Sequence, residues 1–249
     1  YAWSTTEGQH YDYICLLTGD SGVAPSFLKR FRTKVGEFEA LYNFRPPVIQ
    51  CISLFGRNYR HAGRSAFENS VLQGNGVFQS GFSILNELLP MLQTERKIRR
   101  DKRSAVDIFS VPALIGHGCL IDVRLFQSHH GFPVNGWCED IILTHIYAAR
   151  QIPILALDNE FELNEVPYSI SNLLSQMSTW AHSAVQLMFS PAAIYRQAAA
   201  SGGPVSKLHS YRCVTKRWAL NLAWMVNPPA LIIFILTGSW RAALAIFLN

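Results

Sequence analysis

Residues 131–140 read Gly-Phe-Pro-Val-Asn-Gly-Trp-Cys-Glu-Asp, and this stretch constrains the chain more than any other. It is an aromatic and glycine turn ending in two adjacent carboxylates. The apolar positions that follow, Ile141, Ile142, Leu143, Ile146 and Tyr147, fall at helical spacing. Glu139 and Asp140 therefore occupy the first turn of a helix, where the helix dipole favours negative charge. Taken alone, such a pair is an N-terminal cap. Whether it does more depends on its companions in the chain.

A chain of 249 residues, 49% of them hydrophobic, suffices for one large domain with a core, or for a domain with membrane segments. The formal net charge of +5 is modest, and basic residues are scattered among acids except in residues 95–103. That distribution argues against nucleic acid as a partner. A basic segment facing anionic lipid fits it as well as a plain solvated surface does. Cys15, Cys51, Cys119, Cys138 and Cys213 form no C-x-x-C pair and show no metal-ligand spacing, so reduced, mostly buried thiols on a cytosolic face are expected. The chain opens on Tyr1 and stops at Asn249 inside an apolar run, so a fragment of a longer protein is expected.

Residues 13–17 form a β-prone run that ends in Thr18-Gly19-Asp20-Ser21-Gly22. A carboxylate at the carboxyl end of a strand is where open α/β sheets place ligand chemistry, although an ordinary Asp-Ser-Gly turn has the same residues. A helix over 27–44 follows, with Lys29, Arg30, Arg32 and Lys34 on an expected solvated face. Residues 48–55 read as a strand. Apolar residues recur at helical spacing over 68–92, where Gly74-Asn75-Gly76 predicts a broken helix or two short ones. The basic run that follows is expected to be an exposed loop or helix end.

A further strand over 108–115 leads into Gly116-His117-Gly118. Two glycines around one residue let the backbone pass close to a ligand, and His117 is then either a contact to phosphate or acceptor hydroxyl, or a structural histidine. After the helix that Glu139 and Asp140 open come a strand over 152–157, the segment Glu162-Leu163-Asn164-Glu165-Val166-Pro167, and a helix from Ser169. Gln176 and Trp180 lie four apart on that helix and share a face. An amide beside an indole suits a sugar or nucleotide; an indole packed into a core has the same spacing.

Together these segments, strand-x-x-Asp, Gly-x-Gly, Gly-Phe-x(6)-Glu-Asp, Glu-x-Pro and Gln-x-x-x-Trp, resemble in order and spacing the membrane-bound branch of family 2 of the inverting glycosyltransferases, the group that includes cellulose and hyaluronan synthases. The resemblance runs from Tyr13 to Trp180. It implies an α/β chain with a GT-A (Rossmann-like) catalytic domain over residues 1–180, lacking its first strands. An interfacial helix and basic linker over 181–217 and truncated transmembrane segments over 218–249 would follow. It implies Asp140, with Glu139 beside it, as catalytic base, and Asp20 as ligand of a divalent metal, magnesium or manganese. Gln176, Trp180, His117, Gly116 and Gly118 would contact donor or acceptor. The implied partners are a nucleotide-diphosphate sugar, a polysaccharide or lipid acceptor and the membrane.

Two positions depart from the family pattern. Thr18 stands where the metal motif has its first acid, and Thr179 replaces the arginine of Gln-x-x-Arg-Trp. The alternative reading is a catalytically decayed, membrane-attached sugar-nucleotide binding or scaffolding protein. Residues 181–200 suit a helix in the membrane interface or a buried domain helix. Residues 218–238 carry no charge and are long enough to span a bilayer, while Asn227-Pro228-Pro229 leaves a kinked span or a re-entrant hairpin open.

Overall fold

β3 (Val48–Phe55) is the strand around which the sheet forms. Its first six residues are buried and mostly β-branched or small, the near-continuous run expected of a strand covered on both faces. The computed structural model describes residues 11–17, 19, 22–101, 118–129, 131, 139–189, 191–200 and 205–215. Among these, five strands form one sheet in the order β1-β4-β3-β5-β2, with β1 Tyr13–Leu16, β2 Gly22–Val23, β4 Cys119–Asp122 and β5 Ile154–Asn164. β3 and β5 are parallel, and the remaining pairings are antiparallel. With helices packed on this sheet and on one another, the architecture is mixed α/β.

α1 (Phe27–Tyr42) covers one part of the sheet through Phe27, Phe31, Lys34 and Phe38, a ridge at helical spacing. It ends at Asn43 in the left-handed conformation, with the amides of Asn43 and Phe44 bonded back to the carbonyls of Glu39 and Phe38. Lys34 does not belong to a solvated face. It is buried, its Nζ lies 2.5 Å from Glu95 Oε1, and that carboxylate also accepts the Ala156 amide of β5 at 3.0 Å. Arg30 reaches Glu160 at 2.7 Å, so the expected basic face is half committed to ion pairs.

The segment expected to break at its glycines runs through them instead. α2 (Ala66–Ser83) passes Gly74 and Gly76 as one helix. The irregularity comes later, as a π-helical turn at Ile84–Leu88 before α3 (Leu89–Asp101). Gly76 serves packing: a Cβ there would stand 2.6 Å from the Tyr59 hydroxyl and from Val166 Cγ1. The basic run is likewise helical through Asp101, with Thr94, Glu95 and Ile98 buried and Arg99 paired to Glu37 at 2.8 Å.

α4 (Val123–Ser128) and α5 (Glu139–Ala149) follow β4. α5 buries Leu143, Ile146 and Tyr147 against Val48, Ile52, Cys119, Ile121 and Ile154, forming the main core. α6 (Ile170–Phe189) and α7 (Pro191–Ala200) come next, then a helical stretch over 207–215. Ala198 of α7 sits in the core with α5. Among the described residues no helix is long and apolar enough to cross a membrane. The expected spans in 218–249 and the expected strand over 108–115 lie outside the described residues.

Candidate functional site

The carboxyl ends of the parallel strands β3 and β5 project beyond the start of β4, because Cys119 pairs with Gln50 while the β3–β5 pairing continues to Phe55 and Asn164. On this projecting part β5 inverts the usual strand pattern. Glu160, Glu162 and Asn164 are buried, whereas Phe161 and Leu163 are 48% and 47% exposed. A bulge in β5 between the Gln50–Ala156 and Ile52–Phe161 pairs re-aims the strand just before this stretch. Buried carboxylates are costly unless hydrogen-bonded or paired, and Glu160 meets both the Arg30 guanidinium and the Ser26 hydroxyl.

Glu162 is fully buried, accepts the Ser53 hydroxyl at 2.9 Å, and has the Asn164 amide at 3.4 Å. Directly over it lies Gly118, with φ +60. A Cβ at Gly118 would approach Cys51 Sγ to 2.6 Å and Glu162 Oε2 to 2.7 Å. Glycine is required there twice, by conformation and by space. Gly116 and His117, the rest of that motif, lie outside the described residues.

Cys119, the first residue of β4, is buried in the core that α5 covers. Burial pushes its thiol well above the ordinary value, and the charges of Cys15, Cys51, Glu162 and Asp140 add to the effect. Asp140 opens α5, is half-buried, and its Oδ1 accepts the Ile141 amide at 2.7 Å. Thr144 ties to the Asp140 carbonyl at 3.0 Å one turn on. Since α5 is buried from Leu143 to Ala149, its first turn is held by the core and not by a loop. Glu139, beside it, is exposed.

A second set of bonds fixes the start of the turn that leads to Asp140. Gly131, at φ +81, donates its amide to the Phe126 carbonyl at 3.0 Å, and its own carbonyl lies 2.8 Å from His129 Nδ1. A carbonyl only accepts, so Nδ1 carries the proton. His129 Nε2 therefore accepts from the Tyr147 hydroxyl, 3.0 Å away on α5. Gly131 and α5 are linked through one buried imidazole.

Asp20 lies outside the described residues, in the link between Leu16 of β1, which pairs with Cys119, and Gly22 of β2, which pairs with Leu163. Both anchors stand at the sheet end described above. Gln176 and Trp180 are on α6, Gln176 half-buried with a buried Oε1 and Trp180 37% exposed. Thr179 is exposed and bonds the Ser175 carbonyl within the helix. α6 is tied to α2 at its first turn, where Glu68 Oε1 accepts the Ile170 amide at 2.8 Å. The loop after β3 is clasped to the same region by Asn58, which exchanges two hydrogen bonds with the backbone of Val166.

Among the described residues, no group of three or more His, Cys, Asp or Glu side chains stands together as a ligand set. The structure sets Gly118 against Glu162 and Ser53, two residues the sequence reading did not single out, and places Asp140 on the first turn of α5. Their signal was present: Glu160-Phe161-Glu162-Leu163-Asn164 alternates polar and apolar as a strand does. Compared with protein-family models and with curated proteins, the chain matches none.

Proposed function

We propose that the chain is an inverting glycosyltransferase of the membrane-bound family 2 type, with a GT-A fold. It would move a sugar from a nucleotide-diphosphate donor to a polysaccharide or lipid acceptor at a cytoplasmic membrane face. The observation that carries this reading is the close packing of Gly118 on buried Glu162 at the carboxyl ends of the parallel strands β3 and β5. Open α/β sheets bind their ligands at such ends.

In such a transfer the acceptor hydroxyl attacks the anomeric carbon from the face opposite the departing diphosphate, and must lose its proton as it does so. Asp140 is the base that receives it, held by the Ile141 amide on the first turn of a core-packed helix. Attack from the opposite face inverts the anomeric configuration. Glu162 and Ser53 act as positioning residues, fixing the strand ends and the close turn at Gly118. Gln176 and Trp180 present an amide and an indole to sugar rings; His117, Gly116 and Gly118 offer a backbone that can approach phosphate or acceptor.

A divalent cation, magnesium or manganese, would neutralise charge on the leaving diphosphate. Asp20, a hard oxygen donor, is the residue that would hold it. An ion of this kind needs one or two carboxylates beside phosphate oxygens and water, so the lack of a three-residue cluster among the described residues is compatible with it.

Titration calorimetry of the chain in detergent with uridine diphosphate, with and without manganese, tests the reading. Manganese-dependent binding that is lost in Asp20→Ala is expected. A folded chain that binds no uridine diphosphate, or binds it equally in all four conditions, contradicts it.

A further inference from the structure

Between Glu68 and Glu95 the run of α2, the π-helical turn and α3 carries one charged residue, Glu87, and it is buried. The outward side of the same run is apolar. Val77, Phe78, Ile84, Leu85 and Leu89 recur at helical spacing and are 39–66% exposed. At roughly 150–200 Å² for a whole side chain of this size, those fractions leave about 400–500 Å² of apolar surface open. A patch of that area on a folded chain commonly serves binding.

Gly81 lies in the middle of this row. A glycine inside a helix weakens it, and packing within the fold gives no reason for this one, since nothing stands within 4 Å of the place its Cβ would take. Gly76, on the inner side, shows the contrast: there Tyr59 and Val166 leave no room. A bare backbone on an exposed apolar row lets a second helix approach to about 8 Å between axes, the short end of the ordinary range. Val77 and Phe78 precede Gly81 by the same steps at which Leu85 and Ile84 follow it. The row is therefore complementary to its own reverse: a twofold axis at Gly81 sets 77 against 85 and 78 against 84.

Charge selects the occupant. A helix that lies on a bilayer carries Lys and Arg along its polar border, whereas this row is bordered by Ser70, Gln73, Asn86 and Gln93. Self-pairing needs such a neutral border, because a charge beside the axis would meet its like. The ends are charged and opposite in sign, with Glu68 in the first turn of α2 and Arg99 and Arg100 in the last turn of α3. Antiparallel pairing carries the basic end of each helix toward the acidic end of the other, and keeps the two basic ends apart.

We propose that this helical run pairs antiparallel with the same run of a second copy of the chain, about a twofold axis at Gly81, with Val77 and Phe78 of each copy against Leu85 and Ile84 of the other. The apolar row supplies about half of the roughly 800 Å² per partner that a standard interface covers, and the neutral border adds to it, so a Kd on the order of micromolar is expected. The pairing is independent of the reaction the chain carries out.

The test follows the mass of the whole chain by sedimentation in density-matched detergent over about 1–100 μM. We expect it to rise toward that of a dimer, and Leu85→Glu to move the midpoint at least tenfold higher while leaving the melting temperature and uridine diphosphate binding unchanged. Cross-linking by mild oxidation, repeated in phosphatidylcholine vesicles, reads the geometry. Gly81→Cys should form a covalent dimer well above the background of the native cysteines, since the two copies of position 81 meet within disulfide reach. Gly74→Cys should stay at background, because its two copies lie about 20 Å apart along antiparallel helices. A chain that neither dimerises nor cross-links through Gly81→Cys overturns the proposal. So does a dimer untouched by Leu85→Glu, or equal cross-linking of the two cysteine variants. A monomer that floats with vesicles only while Leu85 is intact also overturns it, and gives this face to the bilayer.

Discussion

Replacing Gly118 by alanine tests the geometry of the candidate site where it is tightest. Two costs combine. A non-glycine residue at φ +60 is strained by about 1–2 kcal/mol. The new methyl would also meet Cys51 Sγ at 2.6 Å and Glu162 Oε2 at 2.7 Å, and overpacking of a buried site costs about 1–3 kcal/mol. The total centres near 3.5 kcal/mol, which for a chain of this size lowers the melting temperature by roughly 7–14 °C. Thermal unfolding followed by circular dichroism measures it, with Gly74→Ala as control. Gly74 lies in the same fold with nothing within 4 Å of its Cβ position, and alanine there should stabilise α2 by about 0.5–1 kcal/mol. Relief of the clash must push Glu162 away from the Ser53 hydroxyl, so Ser53→Ala should cost less in the Gly118→Ala background than alone. Equal melting of Gly118→Ala and the unaltered chain, or strict additivity with Ser53→Ala, would refute the packing of Gly118 on Glu162.

Lys34→Met leaves the Glu95 carboxylate buried without its cation and should cost about 3–5 kcal/mol by denaturant unfolding. Adding Glu95→Gln should recover most of that, because the amide oxygen still accepts the Ala156 amide. The amides of Arg64 and Ile170 hold the Glu68 carboxyl below its ordinary value of 4.5. Its stabilising effect is therefore present above pH 4.5 and is lost as pH falls through the lowered value. The protection of the Ile170 amide from hydrogen exchange, relative to its intrinsic rate at each pH, should fall on acidification below pH 4.5 in the unaltered chain and lose that dependence in Glu68→Gln. Tyr147→Phe removes the hydroxyl that His129 Nε2 accepts and should cost about 1–3 kcal/mol in thermal unfolding.

Elements with a strong local pattern were legible in the sequence: β1, β3, α1, α5 and the start of α6 stand close to where periodicity and turn residues put them. What escaped was decided by tertiary contact. Gly76 reads as a helix breaker until Tyr59 and Val166 are seen to occupy its Cβ position. Lys34 reads as a solvent residue until α3 brings Glu95 beneath it. β4 offers only Leu120 and Ile121 between polar or small neighbours, too short a run to declare itself without β1 and β3 on either side. Of the residues proposed for the site, Asp140 and Gly118 stand out by motif. Glu162 does not, since a carboxylate on a strand is ordinarily read as facing water, and only the bulge in β5 turns it inward.

The most direct test of the central claim is sugar transfer by Asp140→Asn. The chain in detergent is incubated with a panel of labelled nucleotide-diphosphate sugars and manganese, and product is followed beside nucleotide binding on the same samples. Asparagine keeps the shape of the group and its bond to the Ile141 amide but takes up no proton. The account predicts transfer by the unaltered chain, its loss by at least about a hundredfold in Asp140→Asn, and nucleotide affinity within about twofold, because the base acts on the acceptor and not on the donor. Turnover near that of the unaltered chain in Asp140→Asn would contradict it.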